Sequence, residues 1–174
     1  MAMRSTGPLA QLAPRRGTPR RTVLAALALL ALTGCGMTPV YGPGSPAKAL
    51  FGQVRPKDAS TFDEFTFNRR ISERLGPEGA DYALSYTLRF GAVPQGITPD
   101  EVTTRYSLNG TADFTLTDAA GHVVTRGRVS NFTSFSTTGT TVASLMADVD
   151  ARERLARMLA DQVVTRLIAA VAAQ

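Results

Sequence analysis

YALSYTLRF, from Tyr82 to Phe90, sets Tyr82, Leu84, Tyr86, Leu88 and Phe90 at alternate positions against Ala83, Ser85, Thr87 and Arg89. Successive side chains of a strand point to opposite faces, so this alternation predicts a β-strand with one buried face. The pattern returns downstream: Tyr106, Leu108, Gly110, Ala112, Phe114 and Leu116 alternate with Arg105, Ser107, Asn109, Thr111, Asp113 and Thr115. Asp118-Ala119-Ala120-Gly121-His122 reads as a turn, and Val123 to about Phe135 as a third strand folding back in an antiparallel hairpin. The facing of that strand stays open, because Val123 and Val124 are both apolar.

Two helical patterns flank these strands. Thr61-Phe62-Asp63-Glu64 fits a capping box, in which the threonine hydroxyl and the glutamate carboxylate satisfy the first orphan amides of a helix. Phe67, Ile71 and Leu75 then recur every fourth residue on one face, and Gly76-Pro77 ends the run. Arg69, Arg70, Glu73 and Arg74 are expected on a solvated outer side. Residues 142–172 contain neither Gly nor Pro, and Leu155, Leu159, Val163 and Leu167 form a stripe at helical spacing. Arg154, Arg157 and Asp161 are expected opposite that stripe, in solvent. Val164, Ile168 and Val171 widen the apolar arc near the end, which leaves a frayed terminus and a partner-covered surface both open. With Lys48–Arg55 as a short first strand weakened by Gly52, the order becomes β-α-β-β-β-α. The expected fold class is α+β, a two-layer sandwich of a four-stranded mixed sheet with two helices packed on one face. The first two strands, joined through a helix, are expected to run parallel.

The 174 residues suit one domain beyond a distinct leader. Residues 1–34 carry Arg4, Arg15, Arg16, Arg20 and Arg21 and no acidic residue, so the basic pI belongs to them. Without those five arginines, 14 basic residues face 14 acidic ones, and the balance excludes a nucleic-acid partner recognised through global charge. An apolar run from Val23 to Leu32 follows the arginines, which is the pattern of an export signal. It is too short to cross a bilayer, which takes about 20 apolar residues. Arg20-Arg21 resembles a twin-arginine signal, and the export route stays open.

Leu32-Thr33-Gly34-Cys35 resembles the bacterial lipobox, in which the thiol receives diacylglycerol and cleavage falls just before the cysteine. Cys35 is the only cysteine, so its acylation would leave no internal disulfide. Residues 1–34 are then a cleaved lipoprotein signal peptide, 35–47 a Gly- and Pro-rich lipidated tether, and 48–174 a single α+β domain. Gly36 after the cysteine, in place of aspartate, resembles an outer-membrane address.

Cys35-Gly36-Met37-Thr38-Pro39-Val40-Tyr41-Gly42 resembles the start of mature LptE-type lipopolysaccharide-assembly lipoproteins of alphaproteobacteria. Thr104-Arg105-Tyr106, Leu116-Thr117-Asp118, Gly121, Gly127, Asp150 to Leu155, Leu159 to Gln162 and Leu167 extend the likeness over nearly the whole chain. Phe62, Phe65 and Phe67 match no feature of that family. The resemblance implies a non-enzymatic protein on the periplasmic side of the outer membrane. Such a protein binds lipopolysaccharide, plugs the lumen of the LptD barrel and helps that barrel assemble.

The residues themselves point to no catalysis. His122 is the only histidine and sits in a turn, no cluster has metal-ligand spacing, and Ser130, Ser134 and Ser136 lack a nucleophile elbow. No cofactor is expected. If the helices cover the face of Tyr86 and Leu108, the other face carries Arg89 and Arg105, with Arg126 and Arg128 joining them if register allows, and only Asp113 offsets them. Guanidinium groups on a rigid sheet suit lipid phosphates or a barrel wall; an ordinary wet strand face is the competing reading. Another periplasm-facing lipoprotein acting as an envelope scaffold is the alternative function. Glycan attachment at Asn109 or Asn131 conflicts with their place inside strands.

Overall fold

The computed structural model describes residue 42 and residues 45–97 and 103–173. Cys35, the leader and most of the tether lie outside these residues. The elements are β1 (Val54–Pro56), α1 (Phe62–Leu75), β2 (Tyr82–Ile97), β3 (Thr103–Asp118), β4 (Val123–Ser136) and α2 (Thr141–Ala172). They occur in the expected order and build one open sheet, β1-β2-β3-β4, with β1 parallel to β2 and the later pairs antiparallel.

The strands are longer than their alternation. β2 continues past Phe90 to Ile97, with register shifts around Pro94 and Gly96. The first strand is shorter than expected. Pro46–Leu50 form a 3-10 turn capped by the Ser45 hydroxyl, and only Val54–Pro56 pair with β2. Gly52 explains the break: its φ is +69°, a left-handed conformation that an extended strand does not contain. Its N–H donates to Leu75 O at 2.7 Å, tying the turn to the end of α1. Gly79 crosses the same point so closely that a Cβ there would lie 2.2 Å from Gly52 O.

α1 begins where the capping box places it, with Glu64 N–H donating to the Thr61 hydroxyl at 3.2 Å. The Glu64 carboxylate does not return to the Thr61 amide. It accepts from Ser60 N–H at 2.8 Å, from the Ser60 hydroxyl at 2.7 Å and from Lys57 Nζ at 2.6 Å. Lys57 also lies over the Tyr86 ring, 4.7 Å from its centroid, and Tyr86 Oη donates to Asn68 Oδ1 at 2.6 Å. The Lys57 ammonium, with the Ser60 amide and hydroxyl, holds Glu64 down at about 2 against its ordinary carboxylate range. Burial, helped by the charge of Glu64, pushes the Tyr86 phenol above its ordinary value.

Both helices lie on the Tyr86–Leu108 face. Phe67 of α1 packs its ring 4.5 Å from that of Tyr86, while α2 lays Leu155, Leu159, Val163 and Leu167, all fully buried, against β3 and β4. Gly110 admits Leu155: a Cβ there would stand 2.8 Å from its Cδ2. Each such side chain contributes on the order of 2 kcal/mol by leaving water. Val164, Ile168 and Val171 are buried within the same core, so neither fraying nor a partner is needed to account for them.

One expectation about charge is corrected. Arg70 and Arg74 of α1 do not sit on a solvated outer side, and Asp161 of α2 does not face open solvent. Asp161 accepts from Arg70 Nε and Arg74 Nη1, each at 3.0 Å, between the helices. Both patterns place the residues correctly around their own helices, but the helices pack flank to flank, and the flanks are charged.

Candidate functional site

The sheet face away from the helices carries the arginines. The register pairs Asp113 with Arg128 and Thr115 with Arg126, which puts both β4 arginines on the face of Arg89 and Arg105. The Val123–Val124 ambiguity resolves through a bulge. Leu116 pairs with Thr125 and Thr117 with Val123, so Val124 is the extra residue, half-buried, while Val123 points out. The face had one further arginine that the pattern did not show. Arg55 pairs with Ala83 and is exposed there, but a three-residue strand is too short to display an alternation.

The arginines form two groups. Arg89 Nη1 donates to Asp113 Oδ2 at 2.6 Å, and Arg128 grips the same carboxylate through Nε to Oδ1 and through Nη2 to Oδ2 at 3.1 Å. Asp113 is thereby held below its ordinary range, chiefly by Arg128, whose own value rises in return. One carboxylate between two guanidinium groups leaves a net positive charge, and Arg126 stands one register step away. Ser85, Thr87, Asp113, Thr115 and Arg126 line a shallow depression at this spot. Arg105 is apart from them. It lies eight positions before Asp113 on β3, roughly 27 Å along an extended strand. Its own depression is shared with Gln95, Ser107, Phe132 and Ser134. Among the described residues Arg105 and Arg126 have no acidic partner.

The remaining chemistry is sparse. His122 is exposed in the hairpin turn, where its N–H donates to Asp118 Oδ1 at 2.8 Å, an arrangement that shapes the turn. Among the described residues no three His, Cys, Asp or Glu side chains gather as metal ligands, and no helix is long and apolar enough to cross a membrane. Every buried side-chain polar atom described has a hydrogen-bond partner.

A small open α+β layer pair, with its helices on one face and a hydroxyl- and arginine-bearing strand face on the other, is the class the fold and site define. The LptE lipopolysaccharide-assembly family profile matches residues 52–167, from the turn before β1 to the last turns of α2, and the chain belongs to that family. The fold recurs in solved lipoprotein structures. A protein from Caulobacter crescentus assigned as a lipoprotein is 20% identical, with a TM-score of 0.62 over 74% of this chain and 97% of its own. Lipoprotein B from Nitrosomonas europaea is 10% identical, with a TM-score of 0.56 over 77% of this chain and 91% of its own. Rare lipoprotein B from Shewanella oneidensis is 11% identical, with a TM-score of 0.53 over 67% of this chain and 94% of its own. At such identities the likeness is one of fold. No curated protein matches the sequence.

Proposed function

We propose that this protein is a lipid-anchored component of the outer membrane that binds lipopolysaccharide and plugs an LptD-type barrel, acting on the periplasmic side and without catalysis. Membership of the lipopolysaccharide-assembly family carries the reading. The open strand face supports it: Arg89 and Arg128 share the single Asp113 carboxylate, and Arg126 stands one register step away without an acidic partner among the described residues. Such a surface offers forked donors to phosphate oxygens while the sheet prevents it from collapsing onto them. Residues 1–34 serve as the cleaved signal peptide, acylated Cys35 as the anchor, and the residues after it as the tether.

The test is binding of purified lipopolysaccharide by the full-length acylated protein. Reversal of Arg105 and Arg126 to glutamate is expected to weaken binding about tenfold or more, a loss of roughly 1.4 kcal/mol. Unchanged affinity would remove the arginine face from the account.

A further inference from the structure

β4 ends the sheet, and the direction of its backbone groups follows from the hairpin. Asp118 N–H donates to His122 O at 2.9 Å near one end, and Thr137 N–H donates to Thr104 O at 3.0 Å near the other. Even-numbered residues of β3 therefore turn their backbone groups toward β4, where the register meets them with odd-numbered residues from Thr125 to Phe135. Antiparallel alternation then sends the N–H and C=O groups of Arg126, Arg128, Ser130, Phe132 and Ser134 to the free edge. All five residues are exposed.

Among the described residues the opposite edge is covered at one end and irregular at the other, whereas the β4 edge is continuous. β1 pairs with the start of β2, Lys57 N–H donates to Leu84 O at 2.9 Å, and farther along Pro94 and Gly96 interrupt β2 with shifts of register. Proline and irregularities are the usual means of refusing another strand. β4 contains no proline, and its one register shift lies at the Val124 end. Charge marks the kind of strand the edge would take. Two shallow grooves run beside it, and Arg166 of α2 lines both, with Arg126 in one and Ser130 and Thr165 in the other. Asp161 reaches the second groove but is engaged by Arg70 and Arg74. Arg126 and Arg166 have no acidic partner among the described residues. A second copy of the same edge would set arginine near arginine, which opposes self-pairing.

We propose that the β4 edge accepts an extended acidic segment of a partner polypeptide as a fifth strand, with main-chain bonds along residues 126–134 and carboxylates beside Arg126 and Arg166. Main-chain pairing supplies the affinity in such an addition, and flanking side chains supply the selectivity. Arg126 and Arg128 also belong to the arginine face, whereas Arg166 and the outward backbone groups do not, so Arg166→Glu and the amide exchange test the edge independently of lipopolysaccharide binding by that face.

The experiment titrates the full-length acylated protein, in mild detergent, with a blocked peptide of about nine residues alternating Glu and Val, long enough to follow the edge, and with its Lys–Val counterpart. Amide hydrogen exchange is read across β4. The acidic peptide is expected to slow exchange over residues 126–134. Ser130→Pro removes an outward N–H and no ladder bond, and it and Arg166→Glu should each weaken binding about tenfold. Should Ser130→Pro fail to fold, Arg166→Glu carries the test alone. Equal binding of the Lys peptide, absence of protection by either peptide, or binding that survives the substitutions would overturn the proposal. Lipopolysaccharide that protects the same amides, in the parent protein and in Ser130→Pro alike, would also overturn it and assign the edge to lipid phosphates.

Discussion

Arg70 and Asp161 meet in a two-bonded fork across the helix pair, Nε to Oδ1 at 3.0 Å and Nη2 to Oδ2 at 3.1 Å, although 91 residues separate them in the chain. Both side chains are about one-third exposed, so solvent screens the pair. Asp161→Ala is expected to cost about 1 kcal/mol, since Arg74 loses the same partner. Urea unfolding of Asp161→Ala, Arg70→Ala and the double variant should give a coupling of about 0.5 to 1 kcal/mol. Additive losses would show the fork to be energetically idle.

The Glu64 network makes the fold sensitive to acid. A carboxyl held at about 2 in the fold against an ordinary 4.5 favours folding fully above the higher value, and the contribution disappears as pH falls toward the lower one. It amounts to about 2 kcal/mol once screening of the exposed Lys57 ammonium is allowed for. Glu64→Gln should be less stable than the parent at pH 7 by about that amount, with the gap closing near pH 2. Parallel unfolding curves across this range would refute the assignment.

The three phenylalanines of α1 separate by exposure. Phe62 and Phe65 are 60% and 59% exposed, while Phe67 is fully buried against Tyr86. Phe67→Ala is expected to cost about 3 to 5 kcal/mol, and Phe62→Ala or Phe65→Ala about 0.5 kcal/mol or less. A large loss of monomer stability at Phe62 would show contacts that the fold does not contain.

Gly79 is required by a crossing of chains. A methyl group there would meet the Gly52 backbone at 2.2 Å, whereas at Gly91 nothing lies within 4 Å of the added atom. Gly79→Ala should destabilise by about 2 kcal/mol or more, and Gly91→Ala should be neutral or slightly stabilising. Thermal unfolding of the two variants side by side decides this.

Asp113 tempers the arginine face. Its removal in Asp113→Ala frees Arg89 and Arg128 together, so lipopolysaccharide should bind more tightly and with a steeper salt dependence. Weaker binding would mean that Asp113 positions the arginines, and that their geometry matters more than their number.

The period-two runs in β2 and β3 were fully legible because one face is buried and one is wet, so each side chain reports its side. The same alternation puts Arg89, Arg105 and Asp113 on one face. It failed in β1, where three paired residues behind a left-handed Gly52 leave no period to read. It also failed at Val124, where a bulge absorbs the extra residue. The charged flanks of α1 and α2 looked like solvated surface because helical periodicity marks the apolar stripe and says nothing about which flank meets another helix. The sequence groups Arg105 with the other arginines, and the structure sets it apart, for a similar reason: a shared face does not reveal distance along it.

The most direct test of the central claim is a mild-detergent pull-down of the acylated protein from outer membranes, with mass spectrometry of co-purifying proteins and bound lipid. A stoichiometric LptD-type barrel together with lipopolysaccharide is the expected result. A preparation without that barrel, or one dominated by a different assembly complex, would contradict it.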